Sequence, residues 1–192
     1  MLLIPEKNAV LVRPRQPEKL LKLIPTAKAV RYKGRDVVAV PHRMEEVRVL
    51  NNIGVKAPSP ILTKYSWPRE ESIIPYPFEA QRHTAAFLTL NPRGFVLNDM
   101  GTGKSMATLW AWDYLYSQKL AGRLLVIGPL STLERTWADE VFYHLPHRTA
   151  VVVYGSRQKR EKLLKQEADI YIVNHHGTQV IADSLRFRPD IT

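Results

Sequence analysis

The segment Asn98-Asp99-Met100-Gly101-Thr102-Gly103-Lys104-Ser105 constrains this chain more than any other. Two glycines flanking a single residue let the backbone turn tightly and aim successive N–H groups at one anion. A lysine and a hydroxyl follow at once, where residues 104–115 read as a helix carrying Met106, Leu109, Trp110 and Trp112. Residues 94–97, just before, read as a short buried strand. A helix N-terminus adds positive potential at the same point. The unit therefore reads as a phosphate cradle. The backbone of Met100, Gly101, Thr102 and Gly103 surrounds phosphate oxygens, Lys104 reaches the β- and γ-phosphates, and the Ser105 hydroxyl binds Mg²⁺. The general pattern has glycine where Asn98 stands. The plainer reading of the same residues is a Gly-rich turn with an exposed lysine.

The surroundings supply an α/β frame. Residues 124–127, 150–154 and 169–173 read as strands. They alternate with helices over 79–90, 133–142, 157–166 and 178–185, which implies parallel pairing with helices on both faces. The longest wholly apolar runs are four or five residues, against roughly 18 for a membrane span. The start, Met-Leu-Leu-Ile-Pro, has no basic region before it and is not read as a signal peptide. The chain has no cysteine, which excludes disulfides, thiolate metal sites and thiol catalysis and suits a reducing, cytoplasmic setting.

Charge separates the first third from the rest. Residues 1–70 hold 14 Lys/Arg against 6 Asp/Glu, whereas residues 71–192 hold 14 against 12. A basic block of this size attracts polyanions through phosphate neutralisation and counterion release; its plainer reading is a solvated, solubilising surface. Within it, residues 9–13 read as a strand and 18–24 as a helix between Pro17 and Pro25. Residues 30–32 and 37–40 read as a hairpin whose turn holds Lys33, Gly34 and Arg35. A helix over 42–52 follows, with Met44, Val47 and Leu50 on one face. The result is a small α+β module. Pro58, Pro60, Pro68, Pro75 and Pro77 then read as an extended linker, with a domain boundary near residue 70.

The loop resembles motif I of the Swi/Snf ATPase branch of superfamily II helicases, in which the first position is likewise not glycine. Pro77-Phe78-Glu79-Ala80-Gln81 is similar to the Q motif of that branch, which implies that Gln81 reads the adenine edge of ATP. By itself, Gln81 reads as a solvent-exposed residue at a helix start. Residues Pro129, Leu130, Ser131, Thr132 and Leu133, followed by Trp137, resemble motif Ia, which touches the nucleic-acid backbone. Physically, Ser131 and Thr132 are also candidates to cap the next helix. Residues 169–175, ending Asn174-His175, look like motif Ib beside the nucleic-acid track. A metal reading of His175-His176 is disfavoured by the lack of a neighbouring carboxylate or cysteine. The first 70 residues are similar to the small basic module that precedes the motor in annealing helicases, with Lys33 and Arg35 at its turn; an unspecific basic appendage is the alternative.

The resemblance thus implies a RecA-like phosphate-loop lobe that uses ATP and Mg²⁺ and contacts DNA through its backbone with little sequence preference. It also implies what these residues lack. Motif II is an apolar strand ending Asp-Glu. The only Asp-Glu pair here, Asp139-Glu140, follows a half-polar helical stretch. The sequence ends Arg188-Pro189-Asp190-Ile191-Thr192, where the motif II strand should begin. The expectation is a truncated first lobe, incomplete for catalysis, whose sheet is finished by a further segment or a protein partner. The competing readings are a non-enzymatic helicase-like protein that binds nucleic acid or a partner motor, and a different phosphate-loop enzyme such as a small kinase.

Overall fold

The computed structural model describes residues 1–67 and 77–191. The chain divides into two compact units, Met1–Ser66 with Ala86–Gly94, and Trp67–Ala85 with Phe95–Thr192. The boundary expected near residue 70 lies outside the described residues, as do Pro68 and Pro75.

The first unit contains β1 (Leu2–Ile4), a 3₁₀ turn at Pro5–Lys7, β2 (Ala9–Val12), α1 (Pro17–Leu23), β3 (Lys28–Tyr32), β4 (Arg35–Pro41), α2 (Met44–Asn52) and α3 (Ile61–Lys64). Its sheet is antiparallel in the order β1-β2-β4-β3. Val10, Val12, Val38 and Val40 point to one face and form a core with Leu20 and Ile24 of α1 and Val47 and Leu50 of α2. The expected hairpin is present. Tyr32 pairs with Arg35, leaving the two-residue turn Lys33-Gly34, with φ of 47° and 74°. Both central residues are left-handed, as the tight turn that matches strand twist requires.

The extended-linker reading fails for its first part. Ala57, Ser59 and Ile61 are buried, and Pro60 opens α3. A proline donates no hydrogen bond but keeps its carbonyl, and here those acceptors are used. His42 Nε2 donates to Pro58 O at 2.9 Å and Thr63 Oγ1 to Pro60 O at 3.3 Å. Asn51 Nδ2 ties Ala57 O at 2.9 Å, and the Ser59 and Thr89 hydroxyls meet at 2.7 Å. Packing and side-chain bonds thus hold a segment whose composition alone reads as loose.

The second unit contains α5 (Lys104–Ser117), β5 (Leu124–Gly128), a 3₁₀ turn at Leu130–Thr132, a π-helix at Leu133–Ala138, α6 (Asp139–His144), β6 (Ala150–Val152), α7 (Arg157–Leu164), β7 (Ile170–Asn174) and α8 (His175–Arg186). The helix α4 (Glu79–Leu90) begins in this unit, and its residues from Ala86 onward belong to the first. The three strands are parallel, in the order β5-β7-β6. All five residues of β7 are buried, so both faces of the central strand are covered. Tyr171 and Val173 meet Leu164 and Ile181, from α7 and α8. Ile170 and Ile172 alternate to the opposite face, and the π-helix packs on β6 and β7. The fold is α/β, with a helix-flanked parallel sheet following an antiparallel module. A parallel bridge from Arg123 to Ile191 starts a further line beside β5, and Arg123 N donates to Asp190 O at 2.7 Å. The Arg188 guanidinium holds the Asp190 carboxyl down at about 2. Among the described residues, no helix is long and apolar enough to cross a membrane.

Two expectations need correction. Residues 94–97 form no strand and are not buried: Phe95 is 88% exposed and Leu97 90%. A short apolar run becomes a strand only when a neighbour supplies its ladder, and none of the described strands pairs with this one. The single helix expected over 133–142 is instead a π-helix followed by α6. Gly128 lies close to this turn: a Cβ there would lie 3.2 Å from Thr132 Oγ1 and 3.5 Å from Trp137 Nε1.

Polar bonds link α5 to the sheet. Buried Asp113 accepts from Arg148 Nε at 2.6 Å and from His147 Nε2 at 3.2 Å. Asp169, just before β7, accepts from the Thr149 amide at 2.9 Å, the Thr149 hydroxyl at 3.1 Å and the Tyr116 hydroxyl at 3.1 Å. Burial alone would raise the Asp169 carboxyl, but these bonds outweigh it and hold it below the ordinary range. Such a lowered carboxylate contributes stability above its unfolded value, near 3.9, that is lost as pH falls through the folded value. Asp169→Asn is expected to cost about 1–3 kcal/mol at neutral pH. The gap from the natural chain should close below about pH 4. Urea unfolding across that range checks it; a gap that persists in acid would assign the loss to packing.

Candidate functional site

The loop at 98–105 takes the conformation its glycines were read to allow. Gly101 has φ of 76° and Gly103, at the N-cap of α5, φ of 77°. Lys104 is the first residue of α5 and Ser105 the second. Met100 is 96% exposed, and Gly101 and Thr102 are exposed as well. Thr102 Oγ1 donates to Asp99 O at 2.8 Å. The Lys104 ammonium donates to Asn98 O at 2.8 Å and Asp99 O at 2.7 Å, so it folds back over the loop. A cation resting on neutral carbonyls is free to exchange them for an anion, a stronger partner.

Gln81 lies against this loop and is buried, not solvent-exposed. Its Oε1 accepts from Phe78 N at 3.1 Å, a local cap at the start of α4, and its Nε2 donates to Thr102 O at 3.2 Å. A side chain at Gly103 would run into that amide. Asn98 Nδ2 donates to Thr84 Oγ1 at 3.0 Å, a second link from the loop to α4. The non-glycine residue in the first loop position thus has a local use: its amide anchors the loop. Thr84 is a contact that sequence reasoning missed; its place one turn after Gln81 on α4 was the available signal.

Two other expected segments come together. Gly128 of β5 pairs in register with Asn174 of β7. Pro129, Leu130, Ser131 and Thr132 therefore leave one strand end beside the strand end from which His175 starts α8. Carboxyl ends of parallel strands are where open α/β sheets place their ligands. A cavity of about 310 Å³ at this edge is lined by Leu130, Ser131, Arg135 and Tyr154 among others. Arg135 and Tyr154 were not singled out from the sequence. Tyr154 follows β6, so its position after a third parallel strand was the usable signal.

Details differ from expectation. Thr132 makes no side-chain cap bond; its hydroxyl donates to Pro129 O at 2.9 Å, satisfying the 3₁₀ turn instead. Ser131 is exposed and does not occupy the cap position. Asn174 is buried, and no donor among the described residues reaches its Oδ1. Gly177 lies so close to Asn174 and to the Arg160 guanidinium that a Cβ there would collide with both. Arg160 is itself fixed by Gly155 O at 2.8 Å and Val153 O at 2.7 Å. His175 and His176 are exposed, and no His/Asp/Glu group among the described residues could hold a metal ion. Lys33 and Arg35 sit exposed at the hairpin end of the first unit.

A glycine-rich loop opens α5 in an α/β protein whose helix-flanked parallel sheet leaves its strand-end loops exposed. Residues 37–184 match the family model of the SNF2-related domain, and the chain belongs to that family. It is 33% identical over 73 residues to the ATP-dependent DNA helicase DDM1 of Arabidopsis thaliana. It is 33% identical over 75 residues to the ISWI chromatin-remodeling complex ATPase ISW1 of Saccharomyces cerevisiae. These stretches each cover 38% of this chain and only 9% and 7% of those proteins. A phage protein, the putative protein p41 of Acyrthosiphon pisum secondary endosymbiont phage 1, is 34% identical over 97 residues, 48% of this chain and 21% of that protein. The Sulfolobus solfataricus SWI2/SNF2 ATPase core in complex with dsDNA matches 52% of this chain and 21% of that chain, at 24% identity and a TM-score of 0.43.

The two loop glycines separate backbone strain from side-chain collision. Each alanine costs about 1 kcal/mol for its left-handed backbone. Nothing lies within 4 Å of a Cβ at Gly101, whereas Gly103 meets Gln81. Gly103→Ala is expected to lower the melting temperature clearly more than Gly101→Ala. Equal shifts for the two variants would mean that the Gln81 contact does not restrict the loop.

Proposed function

We propose that this chain is the N-terminal nucleotide- and DNA-binding part of an ATP-dependent DNA helicase or translocase, and that these 192 residues alone turn over little ATP. The observation that supports this most is the loop at 98–105, with two left-handed glycines and Lys104 poised on carbonyls it can leave. In this reading the amides of Gly101, Thr102, Gly103, Lys104 and Ser105 receive phosphate oxygens, and Lys104 turns to the β- and γ-phosphates. Ser105 would hold Mg²⁺ there, and the ion would supply charge neutralisation at the phosphates. Gln81 reads adenine by exchanging its bond to Thr102, which ties nucleotide arrival to loop position.

DNA lies along the strand-end loops, at Pro129, Leu130, Ser131, Thr132, Asn174 and His175, and at Lys33 and Arg35 of the basic module. Contacts go to the backbone, so little sequence preference is expected. Residues 1–70 act as the nucleic-acid-binding module and 71–192 as the truncated first lobe. The exposed Phe95 and Leu97 then await a strand from a further segment or a protein partner. The family, the cysteine-free composition and the phage relative together favour the cytoplasm of a bacterium or phage-infected cell.

Hydrolysis needs a water-orienting group and charge stabilisation beyond the cradle. Asp139 and Glu140 begin α6 and do not end an apolar strand, so they do not supply motif II. The expected result is weak Mg-ATP binding by calorimetry, at least about tenfold weaker for Lys104→Ala, with no appreciable DNA-stimulated turnover. Equal binding by both chains would remove the nucleotide site. Robust turnover abolished by Lys104→Ala would remove the claim of incompleteness.

Changing Lys33 and Arg35 together to Ala should weaken duplex DNA about equally for unrelated sequences. It should also flatten the log–log salt slope by about 0.9 for each phosphate released. Titration at several salt concentrations checks this, and an unchanged slope would assign the charges to solubility.

A further inference from the structure

The sheet of the first unit has two apolar faces, and only one is covered by α1 and α2. In the register, Leu2 pairs with Leu11, Leu11 with Ala39, and Val37 with Val30, all on the face opposite the core. Alternation along β4 shows the same division. Val38 and Val40 are buried, while Val37 and Ala39 are half-buried. A sheet with one solvated face ordinarily alternates apolar-in with polar-out. This one carries a floor of apolar residues outward as well, with Leu11 itself buried and Leu2 and Val30 exposed, the kind of surface on which a ligand can sit.

Two hollows lie on that floor, of about 460 and 410 Å³. Their described lining includes Arg13, Lys33, Arg35, Lys28, Arg43 and Lys64 and no aspartate or glutamate. The basic groups stand at both ends of the seven-residue strand β4, about 20 Å apart at the usual strand rise. At the hairpin end the Lys33 ammonium sits 5.6 Å over the Tyr32 ring. A cation and an aromatic face are thus offered at one point.

We propose that this open face binds single-stranded nucleic acid, with bases on the apolar floor and Tyr32 and phosphates on the basic rim. This deepens the DNA-binding reading of Lys33 and Arg35 and rests on it. The form of the ligand follows from the combination of floor and rim. A duplex turns its phosphates outward and would leave the floor uncovered, and an acidic peptide would engage only the rim. A single strand presents phosphates and unpaired bases together, and base–aromatic stacking tolerates any sequence.

The test is fluorescence anisotropy with the full chain, using labelled oligothymidine of about 12 nucleotides and a duplex of equal length. Val30 is exposed on the edge strand β3, so Val30→Glu changes the floor without disturbing the core. Tyr32→Ala and Val30→Glu are each expected to weaken the single strand about tenfold and the duplex less than twofold. Tyr32→Phe, which keeps the ring, should retain binding. The paired Lys33 and Arg35 change should weaken both ligands. If that paired change weakens both but Tyr32→Ala and Val30→Glu do not discriminate, the single-strand assignment is overturned while the basic-module reading stands. If the paired change alters neither, that reading falls and this one with it. Displacement of oligothymidine by polyglutamate of matching charge, as effective as by unlabelled oligothymidine, would also overturn it.

Discussion

The second unit depends on β7. Its five residues are buried on both faces and its two edges are taken by β5 and β6. A strand in that position has no route to water for its backbone groups, so its ladders on both sides must be complete. That requirement fixes the register of β5 against β7 and brings Gly128 and Asn174 level. The strand-end loops are neighbours for this reason, although 45 residues separate Gly128 from Asn174 in sequence. Asp169 and Asp113 work to the same end. One ties the start of β7 to Thr149 and Tyr116, the other joins α5 to the turn before β6.

The legible parts of the fold are those where local chemistry and tertiary packing agree. Val30–Tyr32 and Val37–Val40 are short apolar runs on either side of Lys33-Gly34-Arg35, and Gly34 in the turn marks the hairpin. The helix α5 is legible because Leu109, Trp110 and Trp112 leave little alternative to burial. Errors arise where a segment depends on partners distant in the chain. Residues 94–97 are apolar enough for a strand, but a ladder requires a neighbour that the described strands do not provide. Residues 57–61 are proline-rich, yet they are held by Asn51, His42 and Thr89. None of those three side chains is announced by the local sequence.

The candidate site divides in the same way. The positive φ values of Gly101 and Gly103 are ones that glycine adopts without strain, so the residue type is compatible with the turn seen. The resting place of Lys104 on two loop carbonyls, and the clamp of Gln81 between Phe78 and Thr102, are three-dimensional facts without a one-dimensional signature. The π-helix after β5 belongs with them. It follows Gly128, a residue that reads in sequence only as the end of a strand.

Asn8 and Lys33 share a φ of 47°. Asparagine tolerates the left-handed region, helped by short-range bonds of its side chain, whereas lysine has no such help. A two-residue hairpin turn ordinarily favours Asn-Gly at these positions, and this chain has Lys-Gly. The turn therefore keeps a charged tip at some expense in intrinsic stability. An asparagine there would make a firmer hairpin without the charge. Under the proposed nucleic-acid role of Lys33, hairpin stability and a charged tip make opposite demands on residue 33.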